Sequence, residues 1–195
     1  MTQHYFTSNP QSAHDERAIQ VELAGVRADF CTDAGVFSRD GLDFGSRLLI
    51  ETVHPLLHGR VLDMGCGWGA IGVLLARLCP DARITMADIN ERAVALAARN
   101  ARQNGVSAET LVSDGYENIA PSFDAIVTNP PIRAGKQTVY RILDEAKTRL
   151  APGGRLFLVI RKEQGAPSAQ THRQGVYSRV ELLARKKGYW ILACE

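Results

Sequence analysis

The run Val61-Leu62-Asp63-Met64-Gly65-Cys66-Gly67-Trp68-Gly69 leaves this chain little freedom. An apolar stretch of strand length breaks into alternating glycines, and Ala70-Ile71-Gly72-Val73-Leu74-Leu75-Ala76 then follows a helical pattern. The succession predicts a strand, a sharp turn and a helix whose N-terminus faces the turn. Glycines there permit positive φ and a close ligand approach. The free N–H groups and dipole of a helix start favour a carboxylate or phosphate. A nucleotide-like cofactor is expected, and two kinds satisfy the spacing. Gly65, Gly67 and Ala70 meet the G-x-G-x-x-G/A pattern of dinucleotide sites. Gly65-x-Gly67-x-Gly69 after an acidic residue suits S-adenosylmethionine (SAM).

From Arg60 onward strands and helices alternate. Strand Arg60 to Met64 leads to helix Gly69 to Leu78, and strand Arg83 to Ala87 ends at Asp88. Asn90 caps a helix from Glu91 to Asn104, closed by Gly105. Ala108 to Val112 and Phe123 to Thr128 are the next strands. Helix Thr138 to Leu150 is stopped by Ala151-Pro152-Gly153-Gly154, and strand Arg155 to Ile160 is nearly all apolar, as in a strand covered on both faces. Arg161 to Gln174 reads as a loop. Val180 to Ala184 and Tyr189 to Ala193 bracket the Lys186-Lys187-Gly188 turn as a closing hairpin.

Upstream, residues 1–17 show no period, and Ala18 to Leu23 with Val26 to Phe30 form an earlier β-hairpin. Glycines and acids keep Val36 to Ser46 irregular, and Ser46 is expected to cap a helix from Arg47 to His54. The expected fold is α/β: a doubly wound, mostly parallel, seven-stranded sheet with a β-hairpin extension. The N-terminal segment and hairpin are assigned to residues 1–34 and the main domain to 35–195.

A length of 195 residues suits one domain with a small extension. No apolar run approaches membrane-helix length. Met1 to Asp15 lacks a signal core, so no export is expected. Cys31, Cys66, Cys79 and Cys194 lack C-x-x-C spacing and read as reduced thiols in a cytoplasmic protein rather than disulfides or a metal site. His4 and His172 read as surface residues, and Trp68 as packing rather than chemistry. The net charge of +2 conceals a division. Residues 1–130 carry 10 Lys/Arg against 16 Asp/Glu, whereas residues 131–195 carry 13 against 5. A basic C-terminal third is able to attract nucleic acid.

Ligands of such sheets bind beyond the C-terminal ends of the strands. Asp63, Asp88 and Asp114 each fall there. Asp88, about twenty residues past the glycine turn, is placed to accept both ribose hydroxyls, and Asp114 to take an adenine amino group. The sharpest motif is Asn129-Pro130-Pro131-Ile132 at the end of the fourth strand. Each residue before a proline is pushed to extended geometry, so the segment is rigid before substrate arrives. A base amine or side-chain amide is a poor nucleophile because its lone pair is delocalised. The Asn129 side-chain oxygen and Pro130 carbonyl can accept its two N–H bonds, turning the lone pair towards a methyl sulfonium.

In order along the chain, Asp63-Met64-Gly65-Cys66-Gly67-Trp68-Gly69, Asp88-Ile89-Asn90-Glu91-Arg92-Ala93, Ser113-Asp114 and Asn129-Pro130-Pro131 resemble the motifs of class I SAM-dependent N-methyltransferases. The blocks Gly35-Val36-Phe37-Ser38, Asp43-Phe44-Gly45-Ser46-Arg47-Leu48-Leu49, Ile132-Arg133-Ala134-Gly135-Lys136 and Lys187-Gly188-Tyr189 resemble the "small domain" methyltransferases. These are the catalytic half of bacterial small-subunit rRNA guanine-N2 methyltransferases and their one-domain relatives. The resemblance implies methyl transfer from SAM to guanine N2 in 16S ribosomal RNA. It assigns Asp63, Gly65, Cys66, Gly67, Gly69, Asp88, Ile89, Ser113, Asp114 and Asn129 to the cofactor, and Asn129, Pro130, Pro131 and Ile132 to the transfer. Family members place an aromatic after the prolines where this chain has Ile132, so the base is expected to be sandwiched by aliphatic contact, with Phe37 or Tyr5 as candidate partners. The segment Arg161 to Ser168, with Arg133, Lys136, Arg141, Lys186 and Lys187, is expected to face phosphates. Adenine N6 or a protein glutamine amide are the alternative acceptors. An NAD-dependent oxidoreductase and a non-catalytic RNA-binding or assembly protein are the other classes. Monomer and homodimer both remain open.

Overall fold

The computed structural model describes residues 13–120 and 122–195. Strands β1 (Arg17–Leu23) and β2 (Val26–Thr32) form the antiparallel hairpin, in register from Arg17↔Thr32 to Leu23↔Val26. Then follow α1 (Phe44–Val53), β3 (Arg60–Met64), α2 (Ala70–Leu78), β4 (Arg83–Asp88), α3 (Glu91–Gln103), β5 (Ala108–Val112) and β6 (Phe123–Thr128). The chain closes with α4 (Lys136–Glu145), β7 (Leu150–Arg161), α5 (Ala166–Gln174), β8 (Val180–Lys186) and β9 (Tyr189–Cys194). The sheet order is β5-β4-β3-β6-β7-β9-β8. The first five strands of that order run parallel; β9 is antiparallel to both β7 and β8. This is the expected seven-stranded doubly wound sheet with its N-terminal hairpin.

Alternation within each strand divides the core between the two faces of the sheet. Along β7, Phe157 and Val159 join the α1–α2–α3 side, while Leu156, Leu158 and Ile160 join the α4–α5 side. On β3, Val61 faces the first layer and Leu62 and Met64 the second. The hairpin packs its inward residues Val21, Leu23, Ala28 and Phe30 into the first layer. Its outer edge is held by asparagines. Asn100 Oδ1 accepts from Cys31 N at 2.8 Å and Asn100 Nδ2 donates to Cys31 O at 2.8 Å. Asn104 repeats this with Asp29, at 3.0 and 2.7 Å.

Three local expectations are corrected. Asp43, not Ser46, caps α1: its Oδ1 accepts from Gly45 N and Ser46 N at 2.9 and 3.1 Å, and the helix starts at Phe44. The fourth helix starts at Lys136 and gives way at Ala146 to a 3-10 turn; residues 151–154 are the start of β7 rather than a stop. Pairing of Phe123 with Leu150 and then Ala125 with Arg155 shows the irregularity that lets glycines enter the strand. The segment read as a loop over 161–174 contains α5. Its signal was weak because the helix is short and polar, and buries only Ala166, Ala169 and Arg173.

Candidate active site

The chain runs outward from β3 to β4 and β5, then returns to place β6 on the other side of β3. Crossovers diverge from that point, leaving a cleft beyond the C-terminal ends of β3 and β6. Met64 and Thr128 lie in register there, and Thr128 Oγ1 donates to Met64 O at 2.8 Å. The cleft has a volume of about 340 Å³.

The glycine turn forms one wall. Gly65 N and Cys66 N both donate to Ala87 O, at 2.8 and 3.0 Å, which ties the turn to β4. Gly69 is the N-cap of α2 in the left-handed conformation at φ 87°, and a Cβ there would sit 2.9 Å from Ala97 Cα. That close packing of α2 on α3 demands glycine at 69. A glycine cap offers no side-chain acceptor, and Asp63 supplies one from the adjacent strand. Its Oδ2 accepts from Gly72 N at 2.9 Å, satisfying a free donor of the first helical turn. Asp63 is fully buried, and burial pushes its carboxyl up to about 7; the Gly72 N–H opposes that rise and the Asp88 charge adds to it.

Asp88 joins the two halves of this wall. Its Oδ2 accepts from Gly67 N and its Oδ1 from Asn90 N, both at 2.9 Å. Burial raises its pKa, against the pull of the Asn90 and Gly67 N–H groups. Ser113 is buried in the loop after β5, where Oγ donates to Gly115 O and accepts from Asn118 N. Asp114 lines the cleft paired to Arg141 of α4 at 2.6 Å. Arg141 thus stands at the cleft beside a carboxylate with its side chain 41% exposed.

Beyond β6, Asn129, Pro130 and Pro131 line the opposite wall. Pro131, at φ −75° and ψ 79°, is the centre of an inverse γ-turn in which Ile132 N donates to Pro130 O at 2.9 Å. The Pro130 carbonyl therefore has one lone pair remaining. Asn129 Nδ2 donates to Ser46 Oγ at 2.9 Å and to Asp43 Oδ2 at 3.4 Å.

Gly65, Cys66, Gly67, Asp88, Ile89, Ser113, Asp114, Asn129, Pro130 and Pro131 all meet at the cleft. Asp63, Gly69 and Ile132 do not line it. The first two act beneath the turn, and Ile132 packs against the α4–α5 core. Phe37 stands at the cleft wall, 40% exposed, and its carbonyl accepts from Trp68 Nε1 at 2.9 Å. Trp68 is buried edge-to-face against Phe30 of the hairpin. His172 lies on the surface beside Asp144, at 3.1 Å. Tyr5 and His4 fall outside the described residues.

Residues 27–193 match the methyltransferase small domain family. The chain belongs to that family. It is 41% identical to the uncharacterized protein YbxB of Bacillus subtilis (strain 168), over 98% of both chains. It is 43% identical to ribosomal RNA small subunit methyltransferase C of Pasteurella multocida (strain Pm70), over 64% of this chain and 39% of that one. The chain spans half or less of the length of the methyltransferase C relatives it matches. Among solved structures, the Thermus thermophilus 16S rRNA N2 G1207 methyltransferase, in complex with AdoMet and guanosine, superposes with a TM-score of 0.83 at 28% identity. The match covers 95% of this chain and 52% of that one.

This small-domain chain is a SAM-dependent methyltransferase, and its cleft fits that cofactor. A Cβ built on Gly65 or Gly67 would meet no atom within 4 Å, so the turn leaves open space where side chains would stand. The Asp88 carboxylate lines the cleft between its Gly67 and Asn90 backbone donors. Residue chemistry alone did not place Asp43 and Ser46 at this site, although both lie in a block that resembles the small-domain methyltransferases. They precede Asn129 by more than eighty residues, and only α1 docking beside β6 brings them there.

Proposed function

We propose that this methyltransferase transfers the SAM methyl group to the exocyclic N2 of a guanine in small-subunit ribosomal RNA. The observation that carries the reading is Asn129-Pro130-Pro131 facing the glycine turn across one cleft. The likeness to a guanosine-binding rRNA methyltransferase supports it. Bound SAM supplies an electrophilic methyl on a sulfonium.

In this reading Asp88 accepts the ribose hydroxyls, the turn from Gly65 to Gly67 lets the cofactor approach the backbone, and Ser113 and Asp114 border the adenine. Asn129 Oδ1 and the remaining lone pair of Pro130 O accept the two N–H bonds of the target amine. Delocalisation is thereby reduced and the nitrogen lone pair directed at the methyl carbon. No strong base is required, because the amine proton becomes acidic only as the N–C bond forms. Ile132 is half-buried against the α4–α5 core, and Phe37 at the cleft wall is placed to flank the base.

RNA approaches along the rim beside α1. There the Phe44 and Tyr189 rings lie 5.5 Å apart, Lys187 covers Phe44 and Arg161 covers Tyr189. Aromatic faces with cations suit bases and phosphates together. The test is label transfer from methyl-labelled SAM into deproteinised small-subunit RNA, naked subunits and protein, followed by digestion to nucleosides and amino acids. Label in N2-methylguanosine is expected. Label confined to N6-methyladenosine or to methylated glutamine would overturn the guanine assignment while leaving the transfer chemistry in place.

A further inference from the structure

We infer that Asp43 and Ser46 are positioning residues that hold the Asn129 amide with its oxygen towards the target amine. The inference deepens the reading of Asn129 given above and rests on it. An asparagine side chain has a donor end and an acceptor end of nearly equal shape, so either end could face the cleft. Only the oxygen is useful there: an NH2 would confront the N–H bonds of the incoming amine. Ser46 alone does not settle the choice, because its buried hydroxyl can accept from an NH2 or donate to an oxygen. Asp43 does settle it. An ionised carboxylate only accepts, and its Oδ2 stands 3.4 Å from the Asn129 amide nitrogen.

Asp43 is itself fixed. Its Oδ1 accepts from Gly45 N and Ser46 N as the cap of α1, so the second oxygen is aimed by the helix start. The same turn of α1 carries Ser46 to within 2.9 Å of Asn129 Nδ2. Two acceptors thus converge on one amide nitrogen, and both come from a single helix end. The arrangement gives the Asp43-Phe44-Gly45-Ser46 block a role in transfer that its capping alone does not explain. Gly45 belongs to the same packing, since a Cβ there would come within 2.8 Å of the Tyr189 ring.

The decisive experiment reverses the hydrogen bond. Asp43→Asn keeps an oxygen for the cap, which then turns its new NH2 towards the Asn129 NH2 and disfavours the productive orientation. Asn129→Asp places a carboxylate against Asp43. Each single variant is expected to lose about 100-fold in single-turnover methyl transfer to deproteinised small-subunit RNA. Combining Asp43→Asn with Asn129→Asp restores a donor–acceptor pair, now donated from position 43, with a carboxylate oxygen still facing the cleft. The double variant should recover at least about 10-fold over either single one. Ser46→Ala should lower kcat about 10-fold. The melting temperature is expected to fall in Asn129→Asp, where two carboxylates meet, and to return in the double variant, and turnover is compared only between variants that calorimetry shows to be folded. A double variant that fails to exceed the faster single one overturns the inference.

A second arm needs no substrate. In nitrogen-15 spectra, the Asn129 side-chain N–H signals should exchange slowly with water and accelerate in Ser46→Ala. Signals exchanging as fast as those of an exposed asparagine, and indifferent to Ser46, also overturn it. Should the wild-type enzyme leave guanine unmodified, the proposed substrate falls and this arm decides the orientation by itself.

Discussion

Asp63 illustrates how one side chain serves a helix from a strand. On β3, alternation turns Val61 and Asp63 to the α2 side, and Asp63 takes the place of a cap that Gly69 lacks. The cost of burial is seen in its protonation. Its pKa rises from an ordinary 3.8 to about 7, so the folded chain retains a proton that the unfolded chain releases above about pH 4. The stability this contributes is therefore complete below the unfolded value, declines as pH rises through about 7, and is flat beyond. We expect the melting-temperature difference between wild type and Asp63→Asn to change across that window in the SAM-free protein and to level off at higher pH. Parallel melting curves from pH 4.5 to 8 would exclude the linkage. Asn retains an oxygen for Gly72 N, so the comparison isolates the titration from the cap.

At the scale of elements, the hairpin depends on α3 for its exposed edge. An edge strand leaves N–H and C=O groups unpaired every second residue, about 6.6 Å apart. Residues four apart on a helix are about 6 Å apart along its axis. The near match lets Asn100 and Asn104 act as a pair of pseudo-strand residues against Cys31 and Asp29. Asn100 is fully buried and also donates to Trp68 O at 2.8 Å, linking the hairpin to the glycine turn. Asn100→Ala should destabilise by about 2–3 kcal/mol, since buried backbone groups lose partners. Asn104→Ala, at a more exposed edge, should cost less than about 1 kcal/mol because water replaces the amide. Urea melts of both variants check the ranking, and equal losses would refute it. The pairing is not visible in helical periodicity, because asparagines at 100 and 104 look the same whether they face water or a strand edge.

Over the whole molecule, the sheet order sorts the charge. The basic last third forms β7, β9 and β8 on one side of the sheet, and their register carries the 186–188 turn to the same edge as the cleft. Lys187 and Gly188 turn the hairpin with φ of 48° and 79°, and Lys162 N donates to Gly188 O at 2.7 Å. The segment 161–164 thus stays beside this turn, next to Arg161 and Tyr189. On the proposed RNA substrate, replacing Lys186 and Lys187 with alanine should flatten the dependence of log affinity on log salt by about one unit for each phosphate left without its cation. An unchanged slope would show that this turn faces away from the nucleic acid. Among the described residues, no helix is long and apolar enough to cross a membrane.

Strands β3 to β6, α2, α3 and both hairpins were legible because each has a strong local cause: period-two or period-3.6 burial, a capping Asn90, glycines at positive φ. Boundaries failed where local causes compete. Ser46 and Asp43 are both good caps, and the helix starts at Phe44, which packs against the distant Tyr189, so that Asp43 is the cap. The 151–154 glycines look like a terminator, yet pairing of β7 with β6 extends the strand through them. At the site, motif order alone already brought Gly65, Gly67, Asp88, Asp114 and Asn129 to strand ends, because parallel topology puts every such end on one edge. Which of those groups face the cleft was decided by the tertiary structure. Side-chain direction depends on partners distant in sequence: Gly72 draws Asp63 under the turn, Arg141 takes Asp114, and the start of α1 holds Asn129.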